Sequence, residues 1–327
     1  MNIDSAKKCL SLAIKSRWSS LLIGAPGIGK TDLCKQIAEQ HKLDFITEVA
    51  TTLEPTDLKG LPAIVKGEAD YRPYGFLRAL IKADRPTLVL IDDLGHAGPE
   101  VQKAIMHLVL ARSVNDKKIS DDVAFVAATN DIGQKAGVTG IISPLQNRFF
   151  QIKVEVDPTA WCSWAILNNV AAPIIGFVRS TPQLFADWVP PTGIEATCTP
   201  RSMKMLSDLL QAGGNDMFTF MGCIGQKIGI QFRSYLELLE ELPSIDKIIA
   251  NPDGAEVPAE TDRLYGICAA LAFKQDEEDW KKIIRYVKRL PDEFQVLCVT
   301  DASNRHPELL KTRPLRDWIR TKKDVLL

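Results

Sequence analysis

The sequence predicts an α/β fold: a parallel sheet with helices packed on it, followed by an all-helical remainder. Three observations carry this. The stretch Gly24-Ala25-Pro26-Gly27-Ile28-Gly29-Lys30-Thr31 fits G-x-x-x-x-G-K-[ST], with the apolar run Leu21-Leu22-Ile23 before it and a helical pattern after it. Two more apolar runs, Thr87–Ile91 and Val123–Ala128, have the length of buried strands and end in polar residues. Beyond about residue 156 strand and helix no longer alternate, and only helical patterns remain.

In order, Leu10, Ala13, Ile14 and Trp18 recur at helical spacing over residues 4–17, with Asp4 or Ser5 as N-cap. Leu21–Ile23 is a buried strand feeding the glycine-rich loop. The next helix runs to about Gln40 with Leu33, Ile37 and Ala38 inward, and Phe45–Val49 is a second strand. Residues 54–62 are turn-rich, and Ala63–Tyr71 reads as a short hairpin turning at Lys66-Gly67-Glu68. Phe76–Ala83 is a helix. This is more decoration than a minimal βαβ unit needs. Tyr71, Tyr74 and Phe76 are either surface residues of an insertion or contacts for a partner. A helix over Pro99–Ala111, a polar turn over Asn115–Ser120, a short helix over Ser143–Asn147 and a strand over Phe149–Val154 complete the first part.

The helical remainder divides at a breaker-rich stretch. Pro158–Asn168, Ile174–Trp188, Arg201–Ala212 and Phe218–Leu239 are predicted helices, with Thr199 as N-cap and Pro200 in the first turn of the third. Leu242–Pro258 holds Pro243, Asn251-Pro252-Asp253-Gly254 and Pro258, which suggests a linker. Helices over Asp262–Lys274, Trp280–Leu290, Asp292–Asp301 and Arg313–Arg320 follow. The domains expected are therefore 1–156, 157–242 and 243–327. Lys281, Lys282, Arg285 and Lys288 give one late helix a basic face, which is ordinarily a solvated surface and otherwise a nucleic-acid contact.

The chemistry expected of the first part is polyphosphate binding. Glycines let backbone N–H groups turn inward as an anion nest, and the following helix adds the positive end of its dipole. Lys30 reaches β- and γ-phosphates, and Thr31 offers a hydroxyl to Mg²⁺. Asp92 and Asp93 end a buried strand at the sheet edge where ligands bind. One acid there holds the metal's water shell and its neighbour orients or deprotonates a water. Asn130 ends another strand, where an amide meets a γ-phosphate or a lytic water without adding charge. Arg148, at a helix end, is a surface cation in isolation, yet its fork of donors also suits a transferring phosphoryl group.

Composition excludes several classes. The chain has 327 residues, 46% hydrophobic and 25% charged, with a formal net charge of -1, so nothing global draws it to nucleic acid or an anionic membrane. No apolar run is long enough to span a bilayer, and the first residues lack the apolar core of a secretory signal. Seven scattered cysteines without a C-x-x-C pair suggest reduced thiols in a cytoplasmic protein. Four scattered histidines offer no metal constellation.

The order glycine-rich loop, Ile91-Asp92-Asp93, Thr129-Asn130, Arg148, Pro200-Arg201 resembles the AAA+ ATPases. The wording of residues 54–62 and 121–130 resembles their MoxR branch. The match covers about residues 1–240, and 243–327 is similar to C-terminal helical regions of MoxR-like ATPases of bacteria and phages, with fewer motifs. The resemblance implies an AAA+ core, an all-helical lid and a C-terminal helical extension. It implies Gly24–Thr31 as Walker A, Asp92 as the Walker B Mg²⁺ acid and Asn130 as sensor 1. Arg148 would be an arginine finger acting on the nucleotide of the neighbouring subunit, and Arg201 sensor 2 on the lid. It implies ATP and Mg²⁺, a homo-oligomeric ring, usually a hexamer, and often a von Willebrand factor type A partner in remodelling a target. The family usually has Glu where this chain has Asp93. Asp is shorter by one C–C bond, ~1.5 Å, and misplacement on the order of 1 Å costs ~10²-fold in rate. That makes slow turnover, or a nucleotide-gated scaffold, an alternative to a remodelling ATPase. A DNA-associated motor is a third reading, opposed by the near-neutral charge.

Overall fold

The computed structural model describes residues 1–65, 67–115, 117–131, 140–185, 193 and 195–322. The chain forms two compact units, Met1–Val156 and Asp157–Leu327.

The first unit is built on five parallel strands: β1 (Ser20–Ile23), β2 (Asp44–Val49), β5 (Thr87–Asp92), β8 (Val123–Thr129) and β9 (Phe150–Lys153), in the spatial order β2-β5-β8-β1-β9. The register pairs Ser20 with Val126 on one side and Phe150 on the other. Strict alternation feeds two layers, because successive side chains leave opposite faces. Leu22, Leu88, Leu90, Val126, Ala128 and Ile152 pack with α1 (Ile3–Lys15) and α2 (Lys30–His41). Leu21, Val89, Ile91, Phe125 and Ala127 pack with α5 (Pro99–Ala111) and its neighbours. The predicted α/β class is what the first unit adopts, a parallel five-stranded sheet with helices packed on both faces.

Local departures have local causes. The N-cap of α1 is Asn2, whose side chain accepts from the Ser5 N–H at 3.0 Å, in place of Asp4 or Ser5. The helix ends at Lys15, Arg17 takes a positive φ of 61°, and Trp18 is 67% exposed instead of lying on the inner face. The turn-rich stretch holds α3 (Pro55–Lys59), started by Pro55 at its first turn and by Asp57 accepting the Glu54 N–H at 2.8 Å. The hairpin forms from β3 (Leu61–Val65) and β4 (Glu68–Arg72), with Val65 opposite Glu68. Lys66, in its expected turn, lies outside the described residues. The helix α4 spans Gly75–Ile81. The polar turn after α5 contains a second small hairpin, β6 (Ser113–Val114) with β7 (Lys117–Lys118). The short helix α6 is Ser143–Gln146.

The second unit is helical. The helix expected over residues 174–188 is α8 (Ala172–Ser180), which follows α7 (Pro158–Leu167) and stops short of Pro182, whose ring and missing N–H do not continue a helix. Residues 186–188 lie outside the described residues. After α9 (Pro200–Gln211), the helix expected over 218–239 is two: α10 (Met217–Ile224) and α11 (Gln226–Glu240). The break is Gly225, at φ 80°, where a Cβ would lie 2.6 Å from the Ala196 carbonyl oxygen. The expected linker carries α12 (Ile245–Ala250), capped by Ser244, and buries Ile248 in a core shared with α13 (Thr261–Leu271), α14 (Glu277–Val287), α15 (Asp292–Arg305) and α16 (Arg313–Thr321). Its prolines bound a helix instead of loosening the chain. Among the described residues, no helix is long and apolar enough to cross a membrane.

Candidate functional site

The site lies at the C-terminal edge of the sheet, where β1, β5 and β8 end beside one another. The glycine-rich loop leaves β1 with the Gly24 N–H still bonded to the Thr129 carbonyl at 3.3 Å. A Cβ on Gly24 would sit 2.5 Å from the Val154 carbonyl oxygen, so only glycine fits there. Gly29, at φ 97°, turns the chain into α2. Neither Gly24 nor Gly29 is replaceable by an L side chain without a backbone shift.

Lys30 is the first residue of α2 and only 8% exposed. Its Nζ donates to the Gly24 and Ala25 carbonyl oxygens at 2.9 Å each and to Asn130 Oδ1 at 3.0 Å. Thr31, next on the helix, donates its hydroxyl to Asp92 Oδ2 at 2.8 Å. The other oxygen of Asp92 accepts the Asp93 N–H at 3.0 Å. Loop, strand-end acid and strand-end amide thus meet through two side-chain bonds. A positive charge, a hydroxyl, two carboxylates and a helix N-terminus are gathered in one place, an arrangement suited to a polyphosphate and a hard cation. Among the described residues, no group of three or more His, Cys, Asp or Glu side chains forms a metal cage by itself.

Asp93 has φ 54°, the left-handed region, where Asp is one of the few non-glycine residues at ease. It opens a 3₁₀ turn over Leu94–His96, which brings His96 Nδ1 to 3.9 Å from its carboxylate.

Arg148 lies elsewhere in the first unit. Arg148 precedes β9, and Phe150 is level with Ser20, the first residue of β1. Arg148 is therefore at the N-terminal edge of the sheet, with the length of β1, about 10 Å of strand, between it and the loop. It is exposed, and its Nη1 donates to the Pro144 carbonyl at 2.6 Å. Arg201 is in the second unit, exposed, one residue into α9 behind the Thr199 cap.

Two further residues were not singled out from the sequence. Gln102 is 1% exposed and ties α5 to the segment leading to Arg148: its amide donates to the Ala97 and Gly140 carbonyls at 3.0 and 2.9 Å and its Oε1 accepts the Ile142 N–H at 2.9 Å. A polar residue on the apolar face of α5 was the available signal. Cys34 lies buried one turn along α2 from Lys30. Burial, with the Asp92 charge as a smaller influence, pushes its thiol far up, so it is an inert packing group.

Residues 20–156 match the model of the ATPase family associated with various cellular activities (AAA). Among solved structures the chain is similar to a point mutant of Thermotoga maritima RuvB, with 18% identity, 84% of each chain covered and a TM-score of 0.44. It is also similar to the Thermotoga maritima RuvB Holliday junction branch migration motor, with 20% identity, 83% of this chain and 82% of that one covered, and a TM-score of 0.42. NtrX from Brucella abortus is a third, at 13% identity, 72% of this chain and 68% of that one covered, and a TM-score of 0.38. Likeness of this degree carries no argument about activity, partner or assembly. No curated protein matches the chain.

Proposed function

We propose that this chain, whose residues 20–156 match the AAA ATPases, is a MoxR-like ATPase that works as a homo-oligomeric ring and uses ATP hydrolysis to remodel a protein partner. The observation that carries the reading is the convergence of Lys30, Thr31, Asp92 and Asn130, joined by bonds of 2.8–3.0 Å at one sheet edge. In this reading Gly24–Thr31 cradle the triphosphate with backbone N–H groups, and Lys30 neutralises its β- and γ-oxygens. Thr31 and Asp92 would hold Mg²⁺, which supplies charge neutralisation on the phosphates. Asp93 takes the role of general base, and Asn130 orients the attacking water.

Arg148 acts on the nucleotide of a neighbouring copy. Its position at the sheet edge remote from its own loop supports this division of labour. A seam between copies then joins the loop edge of one to the Arg148 edge of the next, and a closed ring follows if that contact repeats. Residues 157–242 serve as a lid presenting Arg201, and 243–327 as an extension. The MoxR assignment rests on the wording of residues 54–62 and 121–130, and with it comes a von Willebrand factor type A protein as partner.

Asp93 favours a second reading, a ring that binds ATP and turns it over slowly. Its carboxylate is one methylene short of the usual residue, and its left-handed backbone is one that Asp tolerates better than Glu. Mass measurement with and without ATP, followed by steady-state hydrolysis on the same sample with and without a candidate partner, separates the two. Partner-stimulated turnover excludes the pure scaffold, and a nucleotide-indifferent monomer excludes both.

A further inference from the structure

We propose, on the reading of residues 157–242 as a nucleotide-responsive lid, that the extension is keyed into the lid so tightly that helices α7 to α16 move as one rigid lever. Three separate fastenings hold the two segments together. The first is electrostatic. Arg179 on α8 and Asp301 on α15 form a two-pronged ion pair, Nη2 to Oδ1 at 2.9 Å and Nη1 to Oδ2, with side chains 11% and 4% exposed. Paired forks of this kind fix direction as well as distance. Separating them would leave each charge in an apolar surround, so they part only at high cost.

The second fastening is steric. Helices α8 and α13 cross at Gly176 and Gly266. A Cβ on Gly176 would stand 3.1 Å from Gly266 Cα and 3.3 Å from its N. The Tyr235 hydroxyl from α11 fills the remaining space at this crossing. Backbones this close, with the Tyr235 hydroxyl wedged beside them, leave no room for one helix to slide along the other. The third is at the far end of α15. Arg305 donates to the Ile166 carbonyl at 2.6 Å and to Asn169 Oδ1 at 2.5 Å, both from the segment around α7, while its guanidinium stacks on Phe273 at 3.7 Å. Residues 166, 176 and 179 on one side and 266, 301 and 305 on the other therefore tie the two segments at three points. A hinge at the breaker-rich stretch 242–258 has no freedom left, and that stretch is itself anchored by buried Ile248. Whatever rotation the lid makes on nucleotide binding is delivered at full amplitude to the surface of α14 and α16.

The test is a pair of distance measurements by nitroxide labels in the full chain with Cys9→Ser, since the other cysteines are buried. One pair joins Asp208→Cys on α9 to Lys282→Cys on α14, both exposed positions within the second unit. The other joins Glu39→Cys on α2 to Lys282→Cys. Between the nucleotide-free state and Mg²⁺ with a non-hydrolysable ATP analogue, the 208–282 distribution is expected to keep its mean and width while the 39–282 distribution shifts. A shift or broadening of 208–282 on nucleotide addition overturns the lever and leaves the lid reading standing. If the analogue binds and 39–282 stays fixed, the lid reading fails and the lever falls with it.

Discussion

The Lys30 ammonium lies 3.0 Å from the Asn130 amide oxygen, joining the first turn of α2 to the end of β8 across one hundred residues of sequence. The two residues have different expected duties. Lys30→Ala removes the charge proposed to face the triphosphate and is expected to abolish nucleotide binding. Asn130→Ala removes the polar group proposed to act on the reacting water, and is expected to leave binding within a few-fold while lowering turnover ~10²–10³-fold. Titration with a fluorescent ATP analogue, beside steady-state hydrolysis, checks both.

Asp93 is expected to matter for turnover and not for affinity. Asp93→Asn keeps a residue at ease in the left-handed region, so the fold should survive, and loss of the general base should lower the rate by ~10²–10⁴-fold. Equal rates for Asp93→Asn and the parent would remove Asp93 from the mechanism. Asp93→Glu restores the missing methylene at some backbone cost, and its rate relative to the parent reports how much reach is missing.

The buried pair of Arg179 and Asp301 should make Asp301→Asn strongly destabilising. It leaves a guanidinium in an apolar surround, for a loss of about 3–5 kcal/mol. Chemical unfolding followed by far-UV signal and by tryptophan emission measures it, the second unit containing Trp161, Trp164, Trp188, Trp280 and Trp318. A change under about 1 kcal/mol, the range of an exposed pair, would mean that the bond is solvated in solution.

Six of the seven cysteines are buried, and only Cys9 is part-exposed. Burial pushes the Cys162 and Cys198 thiols up to about 12. Thiolate, the reactive form, is therefore scarce as well as shielded at mildly alkaline pH. A colorimetric thiol reagent should modify one group promptly in the native protein and all seven after denaturation. Several fast-reacting thiols in the native state would contradict the packing of the second unit.

The sheet and its edge were readable because strand-length apolar runs ending in Asp92 and Asn130 have few alternative placements. The glycine-rich loop was readable because Lys30 and Thr31 follow glycines at fixed spacing. Other features depend on contacts that no local pattern encodes. Asn2, Asp4 and Ser5 are comparable caps, and packing of Ala6, Leu10 and Ala13 chose the first. Gly225 looks like any helical glycine until the Ala196 carbonyl is placed beside it. Prolines around α12 read as a linker because the hydrophobic partners of Ile248 come from far later in the chain, out to Trp318. The ties from Arg179 to Asp301 and from Gln102 to Gly140 are long-range choices of the same kind.

In the proposed ring one copy grips the triphosphate and its neighbour supplies Arg148. The direct measurement is hydrolysis by a mixture of two variants, Lys30→Ala and Arg148→Ala, each nearly inactive alone, with mixed assembly verified by mass. Pairing an intact loop from one with an intact Arg148 from the other is expected to restore a substantial part of the parent rate. Mixed assemblies that hydrolyse no faster than the separate variants would contradict the claim.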